Sequence, residues 1–101
     1  MANTRAKPRN TSDSITLSTI SLNSSTKTKL VDANVNRLSF TASNNSNKDI
    51  WLIRQAAAGS ATEDIIMPAK SFYEMPTDPI YTGEISAIAL NGTPDITVGE
   101  S

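Results

Sequence analysis

Few residues of this chain have the types and spacing for chemistry. The acidic pair Glu63-Asp64, with Glu74, Asp78 and Glu84 downstream, offers carboxylates for acid–base work or for a hard cation such as calcium. Neighbours on a regular strand point to opposite faces, so Glu63 and Asp64 are not expected to share one ion. No Asp-rich loop with a fixed Gly accompanies them, and solvated surface charge is the better reading. Lys70-Ser71 has the make-up of a Ser–Lys dyad, in which burial depresses the ammonium pKa until it serves as a base. Lys70 stands in a stretch that reads as a turn, where such burial is not expected. The chain has no His and no Cys. It therefore lacks the usual neutral-pH base, a thiolate nucleophile and the commonest transition-metal ligands. An enzyme is disfavoured, and no catalytic residue, cofactor or metal is expected.

Binding is the more open question. Arg5, Lys7 and Arg9 precede the first acid, Asp13. Three charges with no interleaved aromatic residue make a weak nucleic-acid contact, and the net charge of −1 gives no basic patch. The same charges suit an arm laid over an acidic neighbouring subunit. The aromatic residues Trp51, Phe72, Tyr73 and Tyr81 could form a sugar-stacking platform. Trp51 falls within the apolar run Ile50-Trp51-Leu52-Ile53, which predicts core packing. Tyr73 and Tyr81 have polar neighbours and are the expected interface residues. Sequons occur at Asn10, Asn23, Asn44 and Asn91. Ser and Thr make up 25 of 101 residues, so several sequons are expected by composition alone and carry no information.

The elements that must position these residues are strands. No apolar run approaches the roughly 20 residues that cross a bilayer, and no apolar stretch follows the basic N-terminus to make a secretory signal. Residues 1–13 are polar, contain Pro8 and read as an extended N-terminal arm. Residues 14–101 read as a single domain. Ile15-Thr16-Leu17 and Ile20-Ser21-Leu22 alternate in shifted registers, which predicts one strand with a bulge. The alternation of Arg37 to Ser43, the polar turn 44–49 and the run 50–53 predict a hairpin. Gln55 to Ala61 is too short for a stable helix and reads as a loop. Strands are expected over 63–67 and 71–75, each closed by a proline. A further hairpin is expected from 81–90 through Asn91-Gly92 to 93–98. The expected fold is all-β: a small antiparallel β-sandwich or jelly-roll-like barrel of about eight short strands. Ser, Thr and Asn account for 34 residues and alternate with Ile, Leu, Val and Phe, which makes them the outer faces of strands.

Several segments resemble small virion proteins of tailed bacteriophages. Lys29-Leu30-Val31-Asp32-Ala33-Asn34-Val35-Asn36-Arg37-Leu38-Ser39-Phe40 is similar to the L-V-x-A-N-x-N-R stretch of that group. Asn44-Asn45-Ser46 and Asp49-Ile50-Trp51-Leu52 match its polar turn and I-Y/W-L strand. Pro68-Ala69-Lys70-Ser71-Phe72-Tyr73-Glu74 resembles its P-x-G-x-x-Y/F-E step, with Lys70 where the group has Gly. The segment from Pro79 to Ala89 resembles its x-Y-x-G-x-I-x-A-I-A pattern. The resemblance implies a non-enzymatic capsid decoration or cement protein on the outer surface of the virion. Its implied partners are the major capsid protein and copies of itself in a homotrimer, with no membrane partner. Related proteins also serve as fibre, neck or tail parts, so the alternative is a module that recognises a host surface glycan or protein.

Overall fold

In a computed structural model, residues 15–101 are described. They form eight strands: β1 (Thr16–Ser21), β2 (Thr28–Val31), β3 (Phe40–Ser43), β4 (Ile50–Ile53), β5 (Ile65–Met67), β6 (Phe72–Glu74), β7 (Ile85–Ala89) and β8 (Asp95–Glu100). The strands make two antiparallel sheets of four, in the orders β1-β8-β3-β6 and β2-β7-β4-β5. All described regular structure is β, as expected. Residues 1–14, with Arg5, Lys7, Arg9 and the expected arm, lie outside the described residues.

The topology follows from one long ribbon. β1 pairs with β8, β2 with β7, β3 with β6 and β4 with β5, so the first half of the chain runs antiparallel to the second. Rolling that ribbon brings β8 beside β3 and β7 beside β4. The result is the strand order of a double-sheet jelly roll. Only the β4–β5 connection stays within one sheet; every other connection crosses between sheets.

Two expected hairpins therefore do not form. β3 and β4 lie in different sheets, as do β7 and β8. Local turn chemistry is present in both places: Gly92 sits at φ 72, which glycine adopts readily, and Asn44 Oδ1 accepts from the Ser46 N–H. A turn sets only a reversal of direction. The apolar inner faces of the flanking strands then pack across the sandwich rather than pairing edge to edge. The actual hairpin joins β4 to β5 through residues 54–64.

The expected bulge is also displaced. β1 pairs with β8 over six residues without a register break. The irregularity lies in β2, between Lys29 and Val31, a strand that the patterning did not mark. In β1 the shifted alternation has another cause. Ile20 and Leu22 face the core, whereas Ile15 and Leu17 lie outside, over Gly99. An added Cβ on Gly99 would meet Ile15 Cγ2 at 2.9 Å and Leu17 Cδ2 at 3.0 Å.

The core lies between the sheets. Phe40, Ala42, Ile96 and Val98 of one sheet face Ile50, Leu52, Met67, Ile85, Ala87 and Ala89 of the other, with Leu22, Leu30 and Met75 closing the ends. Strict alternation in β3, β7 and β8 delivers these residues to one face.

Candidate interaction surfaces

Polar anchors hold the two ends of the sandwich. Arg37 precedes β3, and its guanidinium is fully buried. Its Nε donates to Glu100 at 2.7 Å, Nη1 to the carbonyls of Tyr81 and Gly83, and Nη2 to the carbonyl of Asp32 at 2.8 Å. One side chain thereby ties the β2–β3 and β6–β7 loops to the end of β8. At the other end Asn44 is wholly buried. Its amide nitrogen reaches the carbonyls of Lys48, Met67 and Pro68, and its Oδ1 accepts from Ser46. Sequence reasoning assigned no role to either. An arginine beside an alternating strand, or an asparagine in a polar turn, carries no signal of burial, because most of the carbonyls that hold it come from distant segments. The burial also decides one sequon: Asn44 has no free amide to carry a glycan. Asn23 is engaged as well, its Oδ1 accepting from Ser25 and Thr26, while Asn91 is exposed.

The carboxylate pair sits differently from its expected place. Glu63 and Asp64 precede β5 rather than lying on it, and both line an open cavity of about 370 Å³ with Ile53, Arg54, Gln55, Ala61 and Tyr81. Strand alternation does not separate them. Arg54 holds Asp64 through Nε–Oδ2 at 2.8 Å and Nη2–Oδ1 at 3.0 Å, and the Arg54 amide adds a third bond. The side-chain bonds from Arg54 keep the Asp64 carboxyl below the usual aspartate range, against a smaller opposing effect of burial. Among the described residues no cluster of three or more acidic side chains could hold a metal.

Lys70 and Ser71 form no dyad. Lys70 Nζ donates to Asn45 O at 2.7 Å, and the Ser71 hydroxyl is buried without a hydrogen-bond partner. Lys70 occupies the left-handed region at φ 65.

The aromatic residues are split among three surfaces. Tyr73 and Tyr81 are half-buried and pack against the core. The Tyr81 hydroxyl donates to Glu84 O at 2.9 Å. Burial raises the Tyr73 phenol above its ordinary pKa, opposed by the nearby Arg54. Trp51 is not in the core. It pairs across the ladder with Ile66 and Ile88, forming an apolar row on the outer face of its sheet where Ile66 is exposed. The loop 54–63 covers the same face further along. There Ser86 donates to Gln55 O, and Lys27 bonds the carbonyls of Gly59 and Ala61. Phe72 is 64% exposed and Leu17 is 68% exposed on the outer face of the other sheet. Hydroxyl residues surround them: Thr41 beside Gly99, and the row Thr19, Thr97 and Ser43.

No protein-family model, curated protein or solved structure matches this chain. The geometry thus stands as the basis for any functional reading. What it offers is a small sandwich with one outer face of hydroxyl groups around exposed Leu17 and Phe72, and another bearing the apolar row of Trp51, Ile66 and Ile88.

Proposed function

We propose that this chain is a non-enzymatic structural protein of a tailed-phage virion, binding major capsid subunits and stabilising or decorating the capsid. The observation that carries the reading is the strand order β1-β8-β3-β6 and β2-β7-β4-β5, an architecture used by viral capsid domains. That warrant is fold analogy, to which the sequence resemblance adds a direction. The surface supports it. Neutral hydroxyl and amide groups make hydrogen bonds at an interface without the cost of desolvating charge. Residues 1–14 carry Arg5, Lys7 and Arg9 against one acid, so the acidic excess of the chain lies in residues 15–101. A basic arm of this kind complements the acidic surface of a neighbouring subunit.

Removing residues 1–13 is the direct test. Attachment to purified capsids weakens, while the circular dichroism spectrum and melting temperature of the sandwich stay unchanged. Equal attachment of the shortened chain would rule the arm out. Quantifying the chain in purified particles then places it, since a decoration protein is present in numbers comparable to the major capsid protein.

A fibre, neck or tail module recognising a host glycan is the second reading, favoured by one observation: Trp51 lies outside the core, in a row with Ile66 and Ile88. Sugar faces stack on such a ring. Quenching of Trp51 fluorescence by host-surface glycans, lost in Trp51→Ala, distinguishes this reading from capsid attachment.

A further inference from the structure

Four strands form the edges of the two sheets, and three of them carry devices that keep edges from pairing. β2 is bulged and bears Lys29. β5 is three residues long and stops at Pro68. β6 is three residues long, bears Glu74 and runs into Met75-Pro76. β1 has none of these devices. Its six residues, Thr-Leu-Ser-Thr-Ile-Ser, pair with β8 in unbroken register and include no charge, proline or glycine.

The polarity of its ladder defines what the open edge presents. The Leu22 N–H donates to Pro94 O at 2.9 Å, one step beyond the β1–β8 register. Backbone groups alternate sides along an antiparallel strand. Those of Thr16, Ser18 and Ile20 therefore turn to β8, and the N–H and C=O groups of Leu17, Thr19 and Ser21 turn to the open edge. Among the described residues no strand or turn pairs with them. The apolar side chains nearby do not block the approach, because Ile15 and Leu17 lean over Gly99, toward β8.

We propose that the open edge of β1 binds β1 of a second copy of this chain, antiparallel across a two-fold axis at Ser18, so that the two copies share one continuous sheet. A two-fold contact requires a patch complementary to itself, and an uncharged strand meets this condition because no like charges come opposite each other. Faces are preserved only when paired residue numbers sum to an even value, since a one-residue slip reverses every side chain. The register centred on Ser18 spans the whole strand and sets Leu17 of one copy against Thr19 of the other. It leaves Ser18 over an open cleft of about 330 Å³, which Thr16, Val31 and Glu100 also line. The resemblance implies a trimer, but a three-fold ring needs two different complementary edges, and the other three edges here are the protected ones. The two-fold contact does not depend on attachment to a capsid.

The full chain has no native cysteine, which makes cross-linking a clean test. Ser18→Cys, under mild oxidation, forms disulfide-linked dimers, because facing residues of a non-hydrogen-bonded pair stand about 4.5 Å apart at Cα, within disulfide reach. Leu17→Cys and Thr19→Cys, displaced from the axis, stay monomeric on a non-reducing gel. By sedimentation the unmodified chain is a dimer. Thr19→Pro, whose N–H faces the open edge and takes nothing from β8, and Leu17→Lys are monomers with an unchanged circular dichroism spectrum. A monomeric or trimeric unmodified chain overturns the proposal, as does a dimer that survives both substitutions or cross-linking without preference for position 18. Dimerisation that appears only after removal of residues 1–14 would give the edge to that segment instead, and also overturns it.

Discussion

Arg37 is the residue on which most of one end of the molecule converges. Its buried guanidinium meets one carboxylate and three main-chain carbonyls from two loops. Arg37→Met leaves those acceptors without a donor, and breaking such a buried pair costs about 3 kcal/mol of stability, read as a lower urea midpoint. Arg37→Lys recovers only part of the loss, because an ammonium lacks the planar fork that reaches several acceptors at once. Asp64 acts on a smaller scale and through pH. Arg54 lowers its folded pKa, so the unfolded state binds its proton first on acidification. The stabilisation is complete above the ordinary aspartate range near pH 4 and is lost as pH falls through the lower folded value. Asp64→Asn removes that acid dependence and costs about 1 kcal/mol or less at neutral pH, the size of a partly exposed pair. Urea melts of both proteins across the acid range check this: curves that remain parallel count against the pair.

Among the elements, the turn between β5 and β6 shows how local strain is tolerated. Lys70 holds φ 65, a conformation that costs an L-residue about 1 kcal/mol and glycine almost nothing. The turn is kept because the Lys70 N–H bonds Ser46 O and its Nζ bonds Asn45 O. Lys70→Gly is expected to stabilise the fold by up to about 1 kcal/mol, seen as a higher melting temperature; a lower one would mean that the Asn45 contact outweighs the strain. β8 is the other informative element. It lies between β1 and β3 and supplies Ile96 and Val98 to the core. Ending the chain at residue 94 therefore leaves both neighbours as unpaired edges, and the shortened protein is expected to lose cooperative unfolding in a thermal melt.

At the scale of the whole molecule, the paired strands are distant in sequence: β1 meets β8, and β2 meets β7. This governs what could be read in advance. Alternation at Phe40-Ala42, the proline stops at Pro68 and Pro76, and the Asn-Gly turn are local, so an all-β chain of about eight strands was legible from residue order, although Leu38, expected inward with them, is exposed. So was the outward placement of most Ser and Thr residues, since period-two alternation assigns them to one face. The absence of His and Cys likewise belongs to the sequence alone and narrows the chemistry before any folding. Strand partners were not legible. A turn between two strands is equally compatible with a hairpin and with a crossing to the facing sheet, and only the burial of both inner faces selects the crossing. For the same reason Trp51, in an apolar run that reads as core, faces outward: β4 is central in its sheet, but the loop 54–63 covers only part of its outer side. Arg37 and Asn44 gain their roles, and β1 its open edge, only when segments far apart in the chain come together. The sequence by itself determined that the chain is all-β and, where alternation is strict, which face a side chain takes; the tertiary structure decided which strands pair, because pairing is settled by burial summed over the whole molecule.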